Sequence, residues 1–228
     1  MAECEDHKGN TQMSTTISTP IAVRPAEALP RDVVKRVEDI ILALLLVVAF
    51  SWLLVAVALA VKLTSPGPIL FTQERRGKAG KPFRCYKFRT MYHNHSDRAC
   101  RVQTTRNDPR VTPVGRVLRK LSIDEMPQLF NVIRGEMSVV GPRPHALGTN
   151  IDGCLLHEID ADYFHRYAVK PGITGWAQVN GSRGILSTHE QVHRRVDFDL
   201  DYIANWSVVL DAWILVRTVT CVFDKAAF

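Results

Sequence analysis

Residues 40–61 read IILALLLVVAFSWLLVAVALAV, an apolar run of 22 residues without a charge. At about 1.5 Å per residue, a helix of this length matches a hydrocarbon layer of about 30 Å. A buried core helix is the alternative, but so long an uncharged run is hard to cover in a chain of 228 residues. The run therefore predicts a membrane helix, within a segment that we place at residues 31–64.

The charges that flank this run bear on whether the helix crosses the membrane. Lys35 and Arg36 precede the run and Lys62 follows it, and positive flanks favour the cytoplasmic side. Both ends therefore prefer the same side, which favours a re-entrant helical hairpin and leaves a single span open. The backbone groups freed at such a bend need partners, and the hydroxyl of Ser51 lies where it could bind them.

The chain outside the membrane segment divides into a tail and a larger domain. Residues 1–30 are polar and rich in Thr, Ser and Pro, which predicts a disordered tail. Residues 65–228 predict a cytoplasmic domain that is mainly helical, of the α+β class. The five cysteines (Cys4, Cys85, Cys100, Cys154 and Cys221) contain no C-x-x-C pair, which argues against a disulfide framework or a zinc site.

Positive charge is concentrated in one stretch, residues 75–89. It carries seven of the chain's basic residues and no acid, whereas the whole chain has a net charge of +6. Such a surface predicts an anionic partner.

A short β-hairpin is predicted by ILFTQ (69–73) and FRCYKFRTM (83–91), which flank a GKAGKP turn. On this hairpin Lys87 and Arg89 would project from one face, an arrangement that suits a diphosphate. Anionic lipid is the alternative, and nucleic acid is disfavoured beside a membrane segment.

An adjacent pair of acids, Asp124 and Glu125, lies in SIDEMPQLFN (122–131). Apolar residues at positions 126, 129, 130 and 133 predict one face of a helix that ends at Gly135. Either Ser122 or Asp124 could cap that helix, so the acids are either a helix-start feature or catalytic groups.

Two cations on rigid turns favour the catalytic interpretation. Arg143 lies between prolines in VVGPRPHA (139–146), and Lys170 opens the turn of KPGITGWAQVNG (170–181). Cations held near paired carboxylates and a membrane segment predict a site for phosphates at a lipid surface.

Residues 208–223, apolar but interrupted by two charges, predict an amphipathic helix at the interface or an ordinary core helix.

Four sequence blocks together resemble a known family, the bacterial sugar transferases called monotopic polyprenyl-phosphate phosphoglycosyl transferases. The blocks are KFRTM (87–91), NDPRVTPVGRVLRKLSIDEMPQLFNVIRGEMSVVGPRP (107–144), KPGITGWAQVNG (170–181) and DLDYIANWSVVLDAWIL (199–215). The resemblance implies transfer of a sugar 1-phosphate from a UDP-sugar to undecaprenyl phosphate, with release of UMP, as the first step of exopolysaccharide synthesis. It also implies a catalytic domain on the cytoplasmic face of the bacterial inner membrane.

The resemblance also implies roles for individual residues. Asp124 corresponds to the nucleophile, which would form an aspartyl-phosphosugar intermediate, and Glu125 to a partner acid that assists proton removal. The ion would be Mg²⁺, with Asp124 as its protein ligand. The family's basic positions fall on Lys87, Arg119, Arg143 and Lys170.

The sequence departs from the family at one position and leaves several properties open. Relatives usually have Ser-Pro in the middle of the membrane helix, where this chain has Ser51–Trp52, so the bend loses its strongest cause. UDP-glucose is favoured as donor, with UDP-galactose or a UDP-N-acetylhexosamine as alternatives. A catalytically silent membrane scaffold is an alternative of another class, and the oligomeric state is left open, a homodimer included.

Overall fold

The structure, a computed structural model, describes residues 25–93, 108–146 and 148–223. Residues 1–24, which make up most of the predicted tail, and Cys4 and Cys100 lie outside the described residues. The first helix begins at Pro25, six residues before the boundary that we predicted. Cys85, Cys154 and Cys221 are free thiols.

The chain is mainly helical with three small pairs of strands. The helices are α1 (Pro25–Ala49), α2 (Ser51–Thr64), α3 (Pro113–Lys120), α4 (Gln128–Arg134), α5 (Leu156–Ile159), α6 (Trp176–Val179), α7 (His189–Asn205) and α8 (Val208–Phe223). The strands are β1 (Leu70–Arg76), β2 (Pro82–Phe88), β3 (Ser138–Val140), β4 (Asn150–Ile151), β5 (Cys154–Leu155) and β6 (Gly172–Thr174). The α+β class is confirmed, and so is the hairpin, because β1 and β2 pair antiparallel from Leu70–Phe88 to Arg76–Pro82.

The apolar run forms two helices, α1 and α2, between which the chain bends by 64° at Phe50. In the described part of the chain no single helix is long and apolar enough to cross a membrane. Taken together, the two bent helices meet the requirements of length and composition. The hydroxyl of Ser51 makes no hydrogen bond to a described residue, so the local partner that we predicted for the bend is not found.

Tertiary packing accounts for the bend. On α1, Ala43 is fully buried in the main core, which also contains residues of β2, α4, β3 and α8. On α2, Val57 and Val61 pack instead against Phe88 at the end of β2 and Leu118 on α3. Because the two helices bury their apolar faces against different parts of the domain, they cannot continue along one axis.

A buried carboxylate fixes α1 to the rest of the domain. Asp39 accepts hydrogen bonds from the Ser138 hydroxyl at 2.8 Å and from the Val139 amide at 2.9 Å. Lys35, one turn earlier, binds both Asp39 at 3.3 Å and Asp211 of α8 at 2.6 Å. These bonds hold α1 beside β3 and α8, the elements that border the site described below.

The two proline-glycine motifs meet through parallel strands β3 and β6. The amide of Gly141 donates to the Thr174 carbonyl at 2.9 Å. A Cβ on Gly172 would lie 2.1 Å from the Gly141 nitrogen, so only glycine permits this approach. This close contact between β3 and β6 fixes the position of the backbone that carries Arg143.

Helix α8 has the bounds predicted from the sequence and is amphipathic. Ile214 is fully buried, whereas Val209 is 79% exposed and Val216 is 69% exposed. One face of α8 therefore belongs to the core, and the opposite face is apolar and uncovered.

Candidate active site

A cavity of about 1190 Å³ contains both predicted acids. Its lining, among the described residues, includes eight cations (Arg75, Lys87, Arg89, Arg110, Arg119, Arg143, Arg183 and Arg195) and two carboxylates (Asp124 and Glu125). Such an excess of positive charge suits a substrate that carries several phosphates. Four of the five predicted cations line this cavity, and Lys170 does not.

The acids lie in a short 3₁₀ turn, Ile123–Glu125, which precedes α4. Ser122 enters this turn with φ 56°, a left-handed conformation that is uncommon for residues other than glycine. Its hydroxyl caps no helix and instead accepts a hydrogen bond from Arg183 at 2.7 Å. A bond between distant parts of the chain thus holds the backbone just before the acids.

Helix α4 begins later than the sequence predicted. Its first residue is Gln128, after Pro127, so the helix caps predicted at Ser122 and Asp124 are wrong. Proline has no amide hydrogen and is tolerated only where a helix starts, which explains this boundary. The stop at Gly135 is confirmed by its φ of 86°, but Phe130 is 44% exposed, so the predicted apolar face is only partly buried.

Asp124 is a buried carboxylate without a fixed partner. Its side chain is 8% exposed, and within the described chain it accepts no hydrogen bond. Burial raises its pKa to about 6, with the neighbouring charge of Glu125 adding to the rise and nearby cations, Lys87 foremost, opposing it. At neutral pH Asp124 is therefore mostly ionised and free to react.

Glu125 is held between two cations. Lys87 Nζ lies 2.7 Å from its Oε1, and Arg143 donates from both terminal nitrogens to the carboxylate, at 2.9 Å for Nη1 to Oε2. Burial alone would raise the pKa of Glu125, but Arg143 and Lys87 hold it well below the ordinary value. Such a carboxylate is a weak base and orients its partners, so its predicted part in proton removal stays a prediction.

Arg119 is the third predicted cation near the acidic pair, and it lies in the final turn of α3. Its Nε donates to the Thr90 hydroxyl at 2.8 Å, and its charge acts on Asp124. Three cations from β2, α3 and the loop after β3 thus converge on one acidic pair, an arrangement suited to phosphoryl transfer.

The sequence model for "Bacterial sugar transferase" matches residues 30–225, most of the chain. The chain belongs to this family. Three curated relatives are similar over most of its length. One is the undecaprenyl-phosphate glucose phosphotransferase of Komagataeibacter xylinus, 53% identical over 85% of this chain and 37% of that protein.

The other two are named UDP-glucose:undecaprenyl-phosphate glucose-1-phosphate transferase. The protein of Escherichia coli (strain K12) is 47% identical over 97% of this chain and 47% of its own length. The protein of Caulobacter vibrioides is 47% identical over 96% of this chain and 80% of its own length. This sugar transferase chain thus spans less than half of the first two relatives.

Two of the predicted substrate-binding cations lie in different surroundings from those expected. Arg89 follows β2 and donates to backbone carbonyls at the end of α2, those of Val61 at 3.3 Å, Ser65 at 2.7 Å and Pro66. These bonds satisfy carbonyls that a helix end leaves free, so the contacts of this guanidinium favour a structural role.

Lys170 lies beside α4 rather than in the cavity. Its Nζ is 3.7 Å from where a Cβ on Gly135 would be. Burial lowers its pKa, and the nearby charge of Arg36 lowers it further. The structure therefore does not bring Lys170 to the acidic pair, and its substrate contact stays a prediction.

Sequence reasoning missed several residues that line the cavity: Arg75, His145, Arg183 and Arg195. For Arg195 a signal existed, because it shares a helical face with Val192, Val196 and Asp199, which are all buried. A cation on the buried face of an amphipathic helix is unusual and marks a site or an ion pair.

The site's fit to a divalent cation rests on one carboxylate. Among the described residues no group of three His, Cys, Asp or Glu side chains could hold a metal. Mg²⁺ is commonly held by one or two carboxylates together with substrate phosphates and water. Asp124, buried and free of hydrogen bonds, suits that mode, whereas Glu125 is occupied by Lys87 and Arg143.

Proposed function

We propose that this chain transfers glucose 1-phosphate from UDP-glucose to undecaprenyl phosphate, the activity named for the three relatives. The observation that carries the proposal is Asp124, an unpaired buried carboxylate in a cavity where Lys87, Arg119 and Arg143 converge. That cavity also has an apolar wall, formed by Leu46, Phe50, Leu53, Leu215 and Val219. Phosphate-binding charge beside an apolar wall suits a reaction between a nucleotide sugar and a lipid phosphate.

The proposed reaction has two displacement steps. Asp124 Oδ attacks the β-phosphorus of UDP-glucose, and the bond to the bridging oxygen breaks, so that UMP leaves with the electron pair. An oxygen of undecaprenyl phosphate then attacks the same phosphorus, and the aspartyl bond breaks to regenerate the carboxylate. Two steps let a soluble donor and a lipid acceptor use the site in turn.

The surrounding residues serve both steps. Lys87, Arg119 and Arg143 neutralise charge on the transferred phosphoryl group, and Glu125 keeps two of these cations in position. Mg²⁺ bound by Asp124 and substrate oxygens would supply further neutralisation of phosphate charge.

We also propose that α1, α2 and α8 dock the chain on the cytoplasmic face of the inner membrane, with α1 and α2 as a re-entrant pair. Exposed apolar side chains support this: Val48 on α1 is 73% exposed, Leu63 on α2 is 83% exposed and Val209 on α8 is 79% exposed. Apolar surfaces of this extent mark an interaction site.

The test uses purified protein in detergent with Mg²⁺, undecaprenyl phosphate and a panel of UDP-glucose, UDP-galactose and UDP-N-acetylhexosamines. We expect sustained UMP release that requires lipid beyond the first turnover and is fastest with UDP-glucose. Asp124→Asn should reduce it by at least about 1,000-fold, since the nucleophile is lost. Asp197→Asn, at an exposed aspartate of α7, is the matched control. Release of UDP, or full activity of Asp124→Asn, would contradict the proposal.

The covalent step has its own measurement. Wild-type protein incubated with UDP-glucose but no lipid should gain the mass of one hexose phosphate, mapped to the peptide with Asp124. Lipid should then remove that mass. An active enzyme in which no adduct is trapped by rapid quenching, and in which UMP release always waits for lipid, would favour direct transfer.

A further inference from the structure

Arginines crowd the side of the cavity that carries His145, and only some of them have a carboxylate partner. Arg143 binds Glu125, and Arg166 donates to Asp199 at 2.7 Å. Within the described ranges, the cavity-lining residues Arg75, Arg183 and Arg195 form no salt bridge. They bind neutral groups: Gln73 and Pro144 for Arg75, Ser122 and Cys221 for Arg183, Ser182 and Gly184 for Arg195.

Arg195 is the most deeply buried of the three, at 5% exposure. Its bonds are long, 3.2 Å to the Ser182 hydroxyl and 3.3 Å to the Gly184 carbonyl. Burial foremost, together with the charges of Arg143 and Arg166, lowers its pKa to about 10, and the charge of Asp199 opposes this shift. A guanidinium has five donors, and the nearby charge of Asp199 acts on Arg195 without forming a salt bridge with it. An anion in the cavity would supply a closer counter-charge and further acceptors.

The imidazole of His145 points to where that anion would bind. Burial, with Arg166 and Arg195 next, holds its pKa well below the ordinary value, so the ring is neutral. Its Nδ1 lies 2.8 Å from the Tyr163 hydroxyl and 3.1 Å from Arg166 Nη1, a nitrogen that can only donate. Arg166 is the nearer of the two guanidinium groups that face the ring, so we assign Nδ1 as the acceptor and the ring proton to Nε2.

This assignment brings two donors together without an acceptor. His145 Nε2 lies 3.5 Å from Arg195 Nη1, and both side chains line the cavity. Two N–H groups cannot bind one another, whereas an oxygen beside them could accept from both. The pair, His145 and Arg195, thus presents two donors side by side to the cavity, and we call it the fork.

We propose that His145 and Arg195, with Arg75 nearby, bind the phosphate of the nucleotide half of the sugar donor. The inference rests on the proposed function. The apolar wall of α1, α2 and α8 suits the polyprenyl chain, and Lys87 and Arg119 surround the reacting acids. The fork comes from other segments of the lining, residues 143–146, residues 183–186 and Arg195 of α7, which leaves it for the part of the donor that departs as UMP.

The test measures UMP binding by isothermal titration calorimetry on the full chain in detergent. Arg195→Gln should weaken UMP binding about 10- to 100-fold, the usual effect of losing a hydrogen bond to a charged group. His145→Phe, which removes the Nε2 donor, should weaken it about 10-fold. In turnover, the KM for UDP-glucose should rise by similar factors while the KM for undecaprenyl phosphate stays unchanged. Arg194→Gln, the exposed neighbour on α7, is the matched control and should behave as wild type.

The outcomes separate this inference from the proposed function. Unchanged UMP affinity in folded Arg195→Gln, or a rise in the lipid KM instead, overturns the subsite. If Arg195→Gln melts early, Arg75→Gln at a half-buried position replaces it, with about 10-fold weaker UMP binding expected and unchanged affinity overturning the proposal. Wild-type protein that binds UMP through these residues but releases none in turnover contradicts the proposed reaction and leaves the subsite intact.

Discussion

Asp124 and Glu125 are adjacent in the chain, yet their surroundings shift their pKa values in opposite directions. Burial dominates at Asp124 and raises its pKa to about 6, whereas Arg143 and Lys87 outweigh burial at Glu125. Opposed shifts in neighbouring acids are typical of groups with different tasks. These shifts support the proposed roles, with Asp124 as the reacting group and Glu125 as the acid that orients cations.

The buried charge of Asp124 predicts that an inactive variant is more stable than wild type. A carboxyl whose pKa is raised on folding favours the folded state at low pH, and that contribution is lost as pH rises through about 6. Asp124→Asn removes the cost of the buried charge, so at pH 8 we expect its free energy of unfolding to be about 1–3 kcal/mol higher.

Urea unfolding at pH 8 and pH 4 measures this effect. The difference between Asp124→Asn and wild type should largely disappear at pH 4, where the folded-state carboxyl is protonated. Asp197→Asn, at an exposed position, should show little difference at either pH. A variant less stable than wild type at pH 8 would mean that cation attraction outweighs burial at Asp124.

Parallel strands β3 and β6 connect two motifs that are about thirty residues apart in the chain. Gly172→Ala would place a Cβ 2.1 Å from the Gly141 nitrogen and 2.5 Å from the Thr174 carbonyl oxygen. Backbone atoms cannot move aside as the end of a flexible side chain can, so β3 and β6 would have to separate. We expect a loss of about 3 kcal/mol or more in stability and a strong loss of activity, because the backbone that carries Arg143 moves.

Thermal melting and UMP release check this expectation together. Gly77→Ala is the control, because its Cβ would come no nearer than 3.3 Å to the Phe83 ring and its φ of −103° suits alanine. If Gly172→Ala melts like wild type, the close approach of the two strands is not required for the fold.

The exposed apolar faces of α1, α2 and α8 predict how the whole molecule meets a lipid surface. Val209→Glu combined with Val216→Glu adds two charges to exposed positions of α8 and should weaken binding to anionic vesicles at least about 10-fold, since a charge in the apolar layer is unfavourable. Phe164→Glu, an exposed aromatic outside these helices, is the control and should bind as wild type. Vesicle co-sedimentation of folded protein measures the difference, and equal binding of both variants would remove α8 from the docking surface.

The elements themselves could be read from the sequence because their signals are local. Apolar length indicated the helical segment that ends at Thr64, residue type indicated the β1–β2 hairpin, and a short apolar stretch interrupted by two charges indicated α8. The motif blocks indicated the family, and they included Lys87, Arg119, Arg143 and the acids. Each of these features depends on residues that are close together in the chain, so none of them requires knowledge of distant contacts.

Other properties depend on residues that meet only in the folded chain. The bend at Phe50 follows from α1 and α2 packing on different parts of the domain, and the late start of α4 accompanies a bond from Arg183 to Ser122. Arg89 binds carbonyls of α2, and Lys170 lies beside α4 rather than in the cavity. The sequence by itself determined the helical segment that ends at Thr64, the β1–β2 hairpin, α8 and the family, and it singled out Asp124 and Glu125. Only the tertiary structure decided which cations reach those acids, and that Arg195 is buried without a salt bridge to a described residue, because burial and pairing are set by contacts far apart in the chain.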